Sequence, residues 1–379
     1  MQFKDVIGHP EIKKRLIKSV KEQRISHAQL FYGAEGTHKL ALAIAYAQYI
    51  NCTNRNENDS CGVCPSCKKI SKLQHPDLHF IYPTIASTSN KEPISTDYIL
   101  EWREMLLDND AHVTIDKWYK SLGQENKQGI IRKDDIKEII KKVGSKSYES
   151  EYKILIIWMI EKLHHSASPK LLKILEEPPE KTLFLLITEN YEKVLTTIIS
   201  RTQLVKLPKY TTDLIRNELI EKYGCEVTKA SQIARMADGN MAYALNLKNE
   251  GSNTEFYELY VELMRKSYTF VKQKKEYKEL NELILRISKY GREQQKAFLI
   301  YCLDMMRQCI LINQSSSELT RLTDNEELFL NKFSPFVHPN NIADIHEEVN
   351  KAIFHIERNG SAKIVLTDFA IQLGILMKR

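Results

Sequence analysis

The sequence lacks any apolar run near the ~20 residues that a membrane-spanning helix needs. A run such as Ile154 to Ile160 ends at Glu161. The first residues, Met1-Gln2-Phe3-Lys4-Asp5, carry an acid and no apolar core, which argues against a secretory signal. A cytoplasmic chain with no membrane partner is the expectation. Strong charge of one sign is also missing. Lys and Arg number 55 against 49 Asp and Glu, a net charge of +6. That balance permits contact with DNA phosphates without demanding it. The cysteines do not pair off. There are seven, and an odd count in a cytosolic chain argues against a disulfide framework. No internal repeat is visible. What remains is a chain of 379 residues, 42% hydrophobic, with the length for two or three globular domains.

From Met1 to about Leu207, strand-like runs alternate with helical patterns, which argues for an α/β domain on a largely parallel sheet. The clearest strands are Leu30–Tyr32, Leu78–Tyr82, Lys153–Ile157 and Leu183–Thr188. Pro208 marks a break, and short helical patterns follow from Thr211 to about Leu247. Lys248 to Thr254 reads as a polar linker. Beyond it, Glu255–Lys275, Glu293–Asn313, Ala343–Arg358 and Ser361–Lys378 carry apolar residues at helical spacing. Residues 85–129 look like an insertion. It comprises a turn-rich stretch from Ile85 to Glu92, a helix over Asp97–Leu107 and a further polar segment, and it is expected at the surface.

Residues 33–40, Gly-Ala-Glu-Gly-Thr-His-Lys-Leu, read as a phosphate-binding loop without its catalytic parts. A working loop, G-x-x-x-x-G-K-[ST], wraps backbone N–H groups round the phosphates, extends a lysine to them and holds Mg²⁺ with its hydroxyl. Gly33, Gly36 and Lys39 remain. His38 replaces the last glycine and Leu40 the hydroxyl. Such an ATPase also needs an apolar strand ending in acids, to hold Mg²⁺ and polarise water. The candidate strand, Lys153 to Ile157, runs into Trp158-Met159, and Glu161 lies further on. Losing all three groups together should abolish hydrolysis and leave nucleotide binding weak or absent.

Cys52-x8-Cys61-x2-Cys64-x2-Cys67 gathers four thiols within a short, turn-forming segment. Four thiolates suit tetrahedral zinc, and no His or carboxylate beside them makes an open catalytic site, so the reading is a structural staple. Iron–sulfur ligation and free thiols are the alternatives. Cys225, Cys302 and Cys309 lie among apolar residues and are expected in the core. Residues Ile130 to Val143 form an amphipathic pattern, with Ile136, Ile139, Ile140 and Val143 on the apolar stripe. Arg132, Lys133, Lys137, Lys141 and Lys142 lie off it. Lys133, Lys137 and Lys141 are candidates for sequence-independent phosphate contact. A merely solvated face is the alternative, because Asp134, Asp135 and Glu138 dilute the charge.

Several segments together resemble the AAA+ subunits of bacterial clamp loaders. Leu171-Leu172-Lys173-Ile174-Leu175-Glu176-Glu177-Pro178-Pro179-Glu180 looks like their LLKxLEEPPE segment. Ser200-Arg201-Thr202 is similar to their Ser-Arg-Cys motif, and Phe3 to His9 to the opening of their module. The cysteine spacing matches their zinc module. Aligned on these segments, Trp158 and Met159 fall on the family's Asp-Glu pair, and Ala242 on its lid arginine. A degenerate nucleotide site combined with a retained Arg201 resembles the delta-prime class of DNA polymerase III clamp-loader subunit.

The resemblance implies an AAA+ α/β domain over 1–208 with a zinc module at 52–67, a helical lid over 209–250 and an all-α collar over 251–379. It implies a subunit without its own ATPase, whose Arg201 reaches the ATP of a neighbouring motor subunit. The implied partners are the motor subunits and a delta-type subunit in a hetero-oligomeric ring, a sliding clamp and primed DNA read without base specificity. An ATPase motor of the same assembly and a stand-alone zinc-containing DNA-binding protein are the competing readings, as a surface arginine is for Arg201.

Overall fold

Among the described residues, largely apolar runs become the parallel strands β1 (Ala28–Tyr32), β2 (Leu78–Ile81), β3 (Lys153–Trp158) and β4 (Thr182–Thr188), and the more polar β5 (Gln203–Lys206) joins them. Their order is β2-β3-β4-β1-β5, with Leu30 opposite Leu186 and Ile156 opposite Leu185. Strands of a parallel sheet are covered on both faces, so alternation is lost and whole runs turn apolar. β3 and β4 are buried at every position. Side chains still alternate between faces. Phe31, Ile154, Ile156, Trp158 and Leu185 belong to one core, and Leu30, Leu155, Ile157, Phe184 and Leu186 to the other. The four expected strands are present within a residue or two at each end. β5 went unread because only Val205 of its four residues is buried.

The computed structural model describes residues 1–378 except 87–90, 125–126, 145, 251–253, 274–276 and 317–319. Part of the turn-rich stretch and part of the expected linker therefore lie outside the described residues. The chain forms two compact units, Met1–Leu245 and Asn246–Arg379. In the first, the helices are α1 (Pro10–Lys21), α2 (Lys39–Ile50), α3 (Pro65–Ser71), α4 (Ile99–Asp108), α5 (Ile115–Ser121), α6 (Lys133–Gly144), α7 (Ser168–Glu176) and α8 (Thr196–Ile199). After them come α9 (Thr212–Glu221), α10 (Val227–Ala237) and α11 (Met241–Glu250), whose last residues pass into the second unit. The α1, α2, α4 and α5 side chains cover one face of the sheet; α6 and α7 cover the other.

The insertion is not a surface feature. Trp102 on α4 and Trp118 on α5 are fully buried, and Met105, Leu106 and Tyr119 join the same core. Two large aromatic side chains in an otherwise polar stretch can bury enough apolar surface to bring the segment inside. Trp118 Nε1 donates to the Pro83 carbonyl at 2.7 Å, so its polar edge is satisfied there.

The second unit is helical: α12 (Thr254–Gln273), α13 (Tyr277–Ser288), α14 (Arg292–Asn313), α15 (Asp324–Phe333), α16 (Ile342–Glu357) and α17 (Ala362–Leu376). α13 and α15 add to the four helical stretches expected from the sequence. Cys302 and Cys309 are buried in this core, as expected, whereas Cys225 in the first unit is only half-buried. No helix among the described residues is long and apolar enough to cross a membrane.

Candidate functional site

The loop after β1 is tightly packed at its start and filled at its centre. Gly33 lies so close to the chain after β5 that a Cβ would sit 2.3 Å from the Leu207 carbonyl oxygen. Only glycine permits that approach. His38 adopts a left-handed conformation, φ 55°, immediately before α2. Its ring is buried and bonded on both nitrogens. Nδ1 lies 2.9 Å from the Tyr210 hydroxyl, which donates to the Ile7 carbonyl at 3.1 Å. Nε2 meets Nδ1 of His112. His112 comes from the turn between α4 and α5, inside the insertion.

Lys39 has turned inward. It is 4% exposed, and its Nζ donates to the loop's own Ala34 carbonyl at 2.5 Å and to Thr37 Oγ1 at 3.3 Å. Glu189, at the end of β4, stands 3.8 Å away. Glu35 and Glu161 add further negative charge. Burial, with Glu35 and Glu161 nearby, pushes the Glu189 carboxyl up to about 8 despite Lys39. Burial also lowers the Lys39 ammonium and raises Glu35. Lys39 is thus occupied by acceptors of its own chain and is not presented to an incoming anion. Glu161 does not act at the strand end; its Oε1 accepts the backbone N–H of Glu189 at 3.0 Å and of Asn190 at 3.3 Å.

The cavity left between these groups is about 20 Å³, lined by His38, Lys39, His112, Trp158, Glu189 and Ala242 among others. That is room for about one water. Small-molecule sites are roughly 300–1,000 Å³. Trp158 closes the space from one side. Trp158 stands at the end of β3, 2% exposed, with its ring 5.2 Å from Trp102. Trp102 stacks on Tyr82 at 4.1 Å and meets Trp118 edge-on at 5.2 Å. The place where a motor would carry acids is thus part of an aromatic core. From the other side, Asn240 and Met241, just after α10, press on the loop. Met241 N donates to the Gly36 carbonyl at 3.3 Å, and a Cβ on Gly36 would overlap Asn240. The inserted turn is tied to α9 as well, through Asp110 and Lys222 at 3.3 Å.

The four clustered cysteines come together. Cys52 follows α2, Cys64 caps α3 and Cys67 lies within it. Cys52 Sγ is 3.5 Å from Cys61 Sγ and 3.9 Å from Cys64 Sγ, and all four sulfurs lie within 4.8 Å of one another. Zinc–sulfur bonds of about 2.3 Å in a tetrahedron place sulfurs about 3.8 Å apart. The donor set therefore fits a metal ion. N–H groups of Cys61, Cys64 and Cys67 point at the sulfurs of Cys52, Cys61 and Cys64 at 3.3–3.4 Å, stabilising thiolate charge. Among the described residues no other group of three or more potential ligands stands out in this way.

Arg201 follows α8 on the rim of the first unit, with 34% of its side chain exposed and Glu176 beside it. Lys133, Lys137 and Lys141 are all exposed on one face of α6. Lys137 is paired with Asp134. One sequence assignment, that of Ile140, changes here. Arg132 does not face solvent as a phosphate contact would, because its Nη1 holds the Thr84 carbonyl at 3.0 Å and the Pro93 carbonyl at 3.2 Å. Ile140 lies off the buried stripe, which consists of Ile136, Ile139 and Val143.

A family model described as DNA polymerase III, delta subunit, matches residues 8–211, more than half of the chain. The chain belongs to the DNA polymerase III delta subunit family. Curated relatives of this family member include the delta′ subunit of DNA polymerase III from Bacillus subtilis, 29% identical over 266 residues, covering 70% of this chain and 66% of that protein. The tau subunit from the same organism is 29% identical over 254 residues, 66% of this chain and 37% of that protein. The gamma subunit of Buchnera aphidicola is 25% identical over 83% of this chain and 78% of that protein. The chain thus spans less than two thirds of the length of the two Bacillus relatives. Among solved structures, a DNA polymerase III gamma subunit-related protein from Thermotoga maritima aligns with TM-score 0.38 at 16% identity, over 97% of this chain and 99% of that one. The Bacillus subtilis DNA clamp loader delta protein aligns with TM-score 0.32 at 10% identity, over 97% and 100%. Similarity at that level adds nothing to the argument.

Sequence reasoning singled out Gly33, Gly36, Lys39 and Trp158, and the fold brings Gly36, Lys39 and Trp158 to one cavity while Gly33 packs against Leu207. It missed His112 and Glu189, which line that cavity from distant segments, and Tyr210, which holds His38 from behind. No local pattern marks them.

Proposed function

We propose that this chain is a non-hydrolysing subunit of the clamp loader of DNA polymerase III. It helps place a sliding clamp on primed DNA as a member of a hetero-oligomeric ring with motor subunits and a delta-type subunit. Residues 1–208 serve as the AAA+ domain, 209–250 as its helical lid and 251–379 as the collar that joins the ring, in the cytoplasm. The observation that carries this reading is the cavity of about 20 Å³ at the loop after β1, lined by His38, His112, Trp158 and the buried carboxyl of Glu189. A chain that cannot admit ATP does its work on the ATP of others. That observation disfavours a motor subunit.

Arg201 is the group offered to the neighbour. Guanidinium is planar, permanently charged and forked, which suits charge developing on a transferred phosphoryl group. Such arginines are worth about 10³–10⁵ in rate. Zinc held by Cys52, Cys61, Cys64 and Cys67 staples the module, with no part in hydrolysis. Lys133, Lys137 and Lys141, at helical repeat on α6, supply contact to DNA phosphates.

The test is ATP turnover in a clamp loader reconstituted from the same organism, with clamp and primed DNA. The isolated chain is expected to be inert, and Arg201→Ala to slow the intact assembly at least tenfold. Turnover by the isolated chain would refute the silent site. An unaffected assembly would refute the role of Arg201.

A further inference from the structure

Arg201 is not free to act as it stands. Its Nε donates to Glu176 Oε1 at 2.8 Å, and Nη2 lies 2.5 Å from the same oxygen. Nη1 donates to the Thr197 carbonyl at 2.9 Å and to Ser200 Oγ at 3.2 Å. A guanidinium has five N–H donors. Three hydrogen bonds go to acceptors in the arginine's own subunit, and Nη2 stands in ion-pair contact with the same Glu176 oxygen. A forked grip on phosphate uses two parallel N–H bonds from one edge, and neither edge is open here.

Of the three acceptors, only Glu176 is charged. It is the last residue of α7 and reaches the arginine across the chain that returns through β4 and α8. Thr197 and Ser200 are fixed by the backbone of α8 and the turn after it. The carboxylate is therefore the contact whose strength sets how tightly the guanidinium is held back.

We infer that Glu176 is a positioning residue that parks Arg201. The arginine engages a neighbour's phosphate only by exchanging that carboxylate for it. The inference rests on the trans role proposed for Arg201. The pair is half-exposed, with 34% and 48% of the two side chains open to solvent, so the hold is weak. Exposed pairs of this kind shift an equilibrium by about 1.5- to 5-fold. A phosphate in a closed interface outcompetes such a hold, and the carboxylate limits how often it does.

The experiment uses the reconstituted assembly with Glu176→Gln, Arg201→Ala and the double variant, clamp and primed DNA present. Glutamine keeps the shape and removes the charge; equal melting temperatures of the isolated chains check the fold. Glu176→Gln is expected to raise kcat about 1.5- to 5-fold with KM for ATP unchanged, because ATP binding precedes the arginine's engagement. The ratio of variant to wild type should shrink as salt is raised, since salt already weakens the pair in the wild type. In the Arg201→Ala background the Glu176 change should do nothing. A fall in kcat, no change, or the same rise without Arg201 each overturns the inference while leaving the trans arginine standing. If Arg201→Ala itself is without effect, the proposed function fails and the inference with it.

Discussion

Trp158 carries the most direct prediction. It ends β3 at the position where a hydrolysing relative would carry an acid, and Trp158→Asp would restore that chemistry on paper. In the fold it removes a ring that is 2% exposed and packed 5.2 Å from Trp102. Truncating a buried tryptophan costs about 3–5 kcal/mol. Leaving a carboxyl in its place without a partner adds about 1–3 kcal/mol. The sum, about 4–8 kcal/mol, is a large part of the ~5–15 kcal/mol that holds a domain folded.

Tryptophan fluorescence in urea is a well-placed assay. The chain has three tryptophans, and Trp102, Trp118 and Trp158 all sit in this one cluster of the first unit. The signal therefore reports that unit alone and sidesteps the two-unit unfolding that would blur a global probe. With a urea slope of about 3 kcal/mol per molar, the midpoint should fall by roughly 1.3–2.7 M. Trp158→Phe keeps an aromatic ring and should lose only about 1–2 kcal/mol. A Trp158→Asp protein as stable as wild type, or one that gains Mg²⁺-dependent ATP binding, would refute the claim that this strand end has become core.

The histidine pair makes a pH prediction. Burial, with Lys222 nearby, depresses the His112 imidazole to about 4, and burial with His112 alongside holds His38 well below its usual value. In the unfolded chain both protonate near 6.5. The unfolded state then binds more protons as pH falls from about 6.5 towards 4, so stability falls over that window by about 1.4 kcal/mol per pH unit for one such histidine. His112→Leu should flatten the pH dependence of the urea midpoint by about that slope; an unchanged slope would contradict the buried, neutral ring. Protein purified without chelator should contain about one equivalent of zinc by elemental analysis, and Cys67→Ser should lose it and lower the first unit's urea midpoint. Metal-free protein of full stability would sink the staple.

The sequence by itself settled what local chemistry settles. Runs buried on both faces of a parallel sheet are apolar throughout, so β1, β3 and β4 were legible. Four cysteines within a short turn-forming segment have few ways to lie apart, so their gathering was legible too. The gap in the nucleotide machinery was visible because a motif with fixed spacing shows what it is missing. What fills the gap was not visible. His112, Tyr210 and Glu189 belong to three separate segments, and the chain itself gives no sign that they converge on His38 and Lys39. The insertion read as surface because its average is polar, while Trp102 and Trp118, with Met105, Leu106 and Tyr119, carry it into the core. The partnership of Arg201 with Glu176 is of the same kind. Each residue stands in a recognisable motif, and only the return of the chain through β4 and α8 brings the two charges together. Local patterns record the burial and spacing of each segment; the closure of a site depends on which segments meet, and that is decided by tertiary packing.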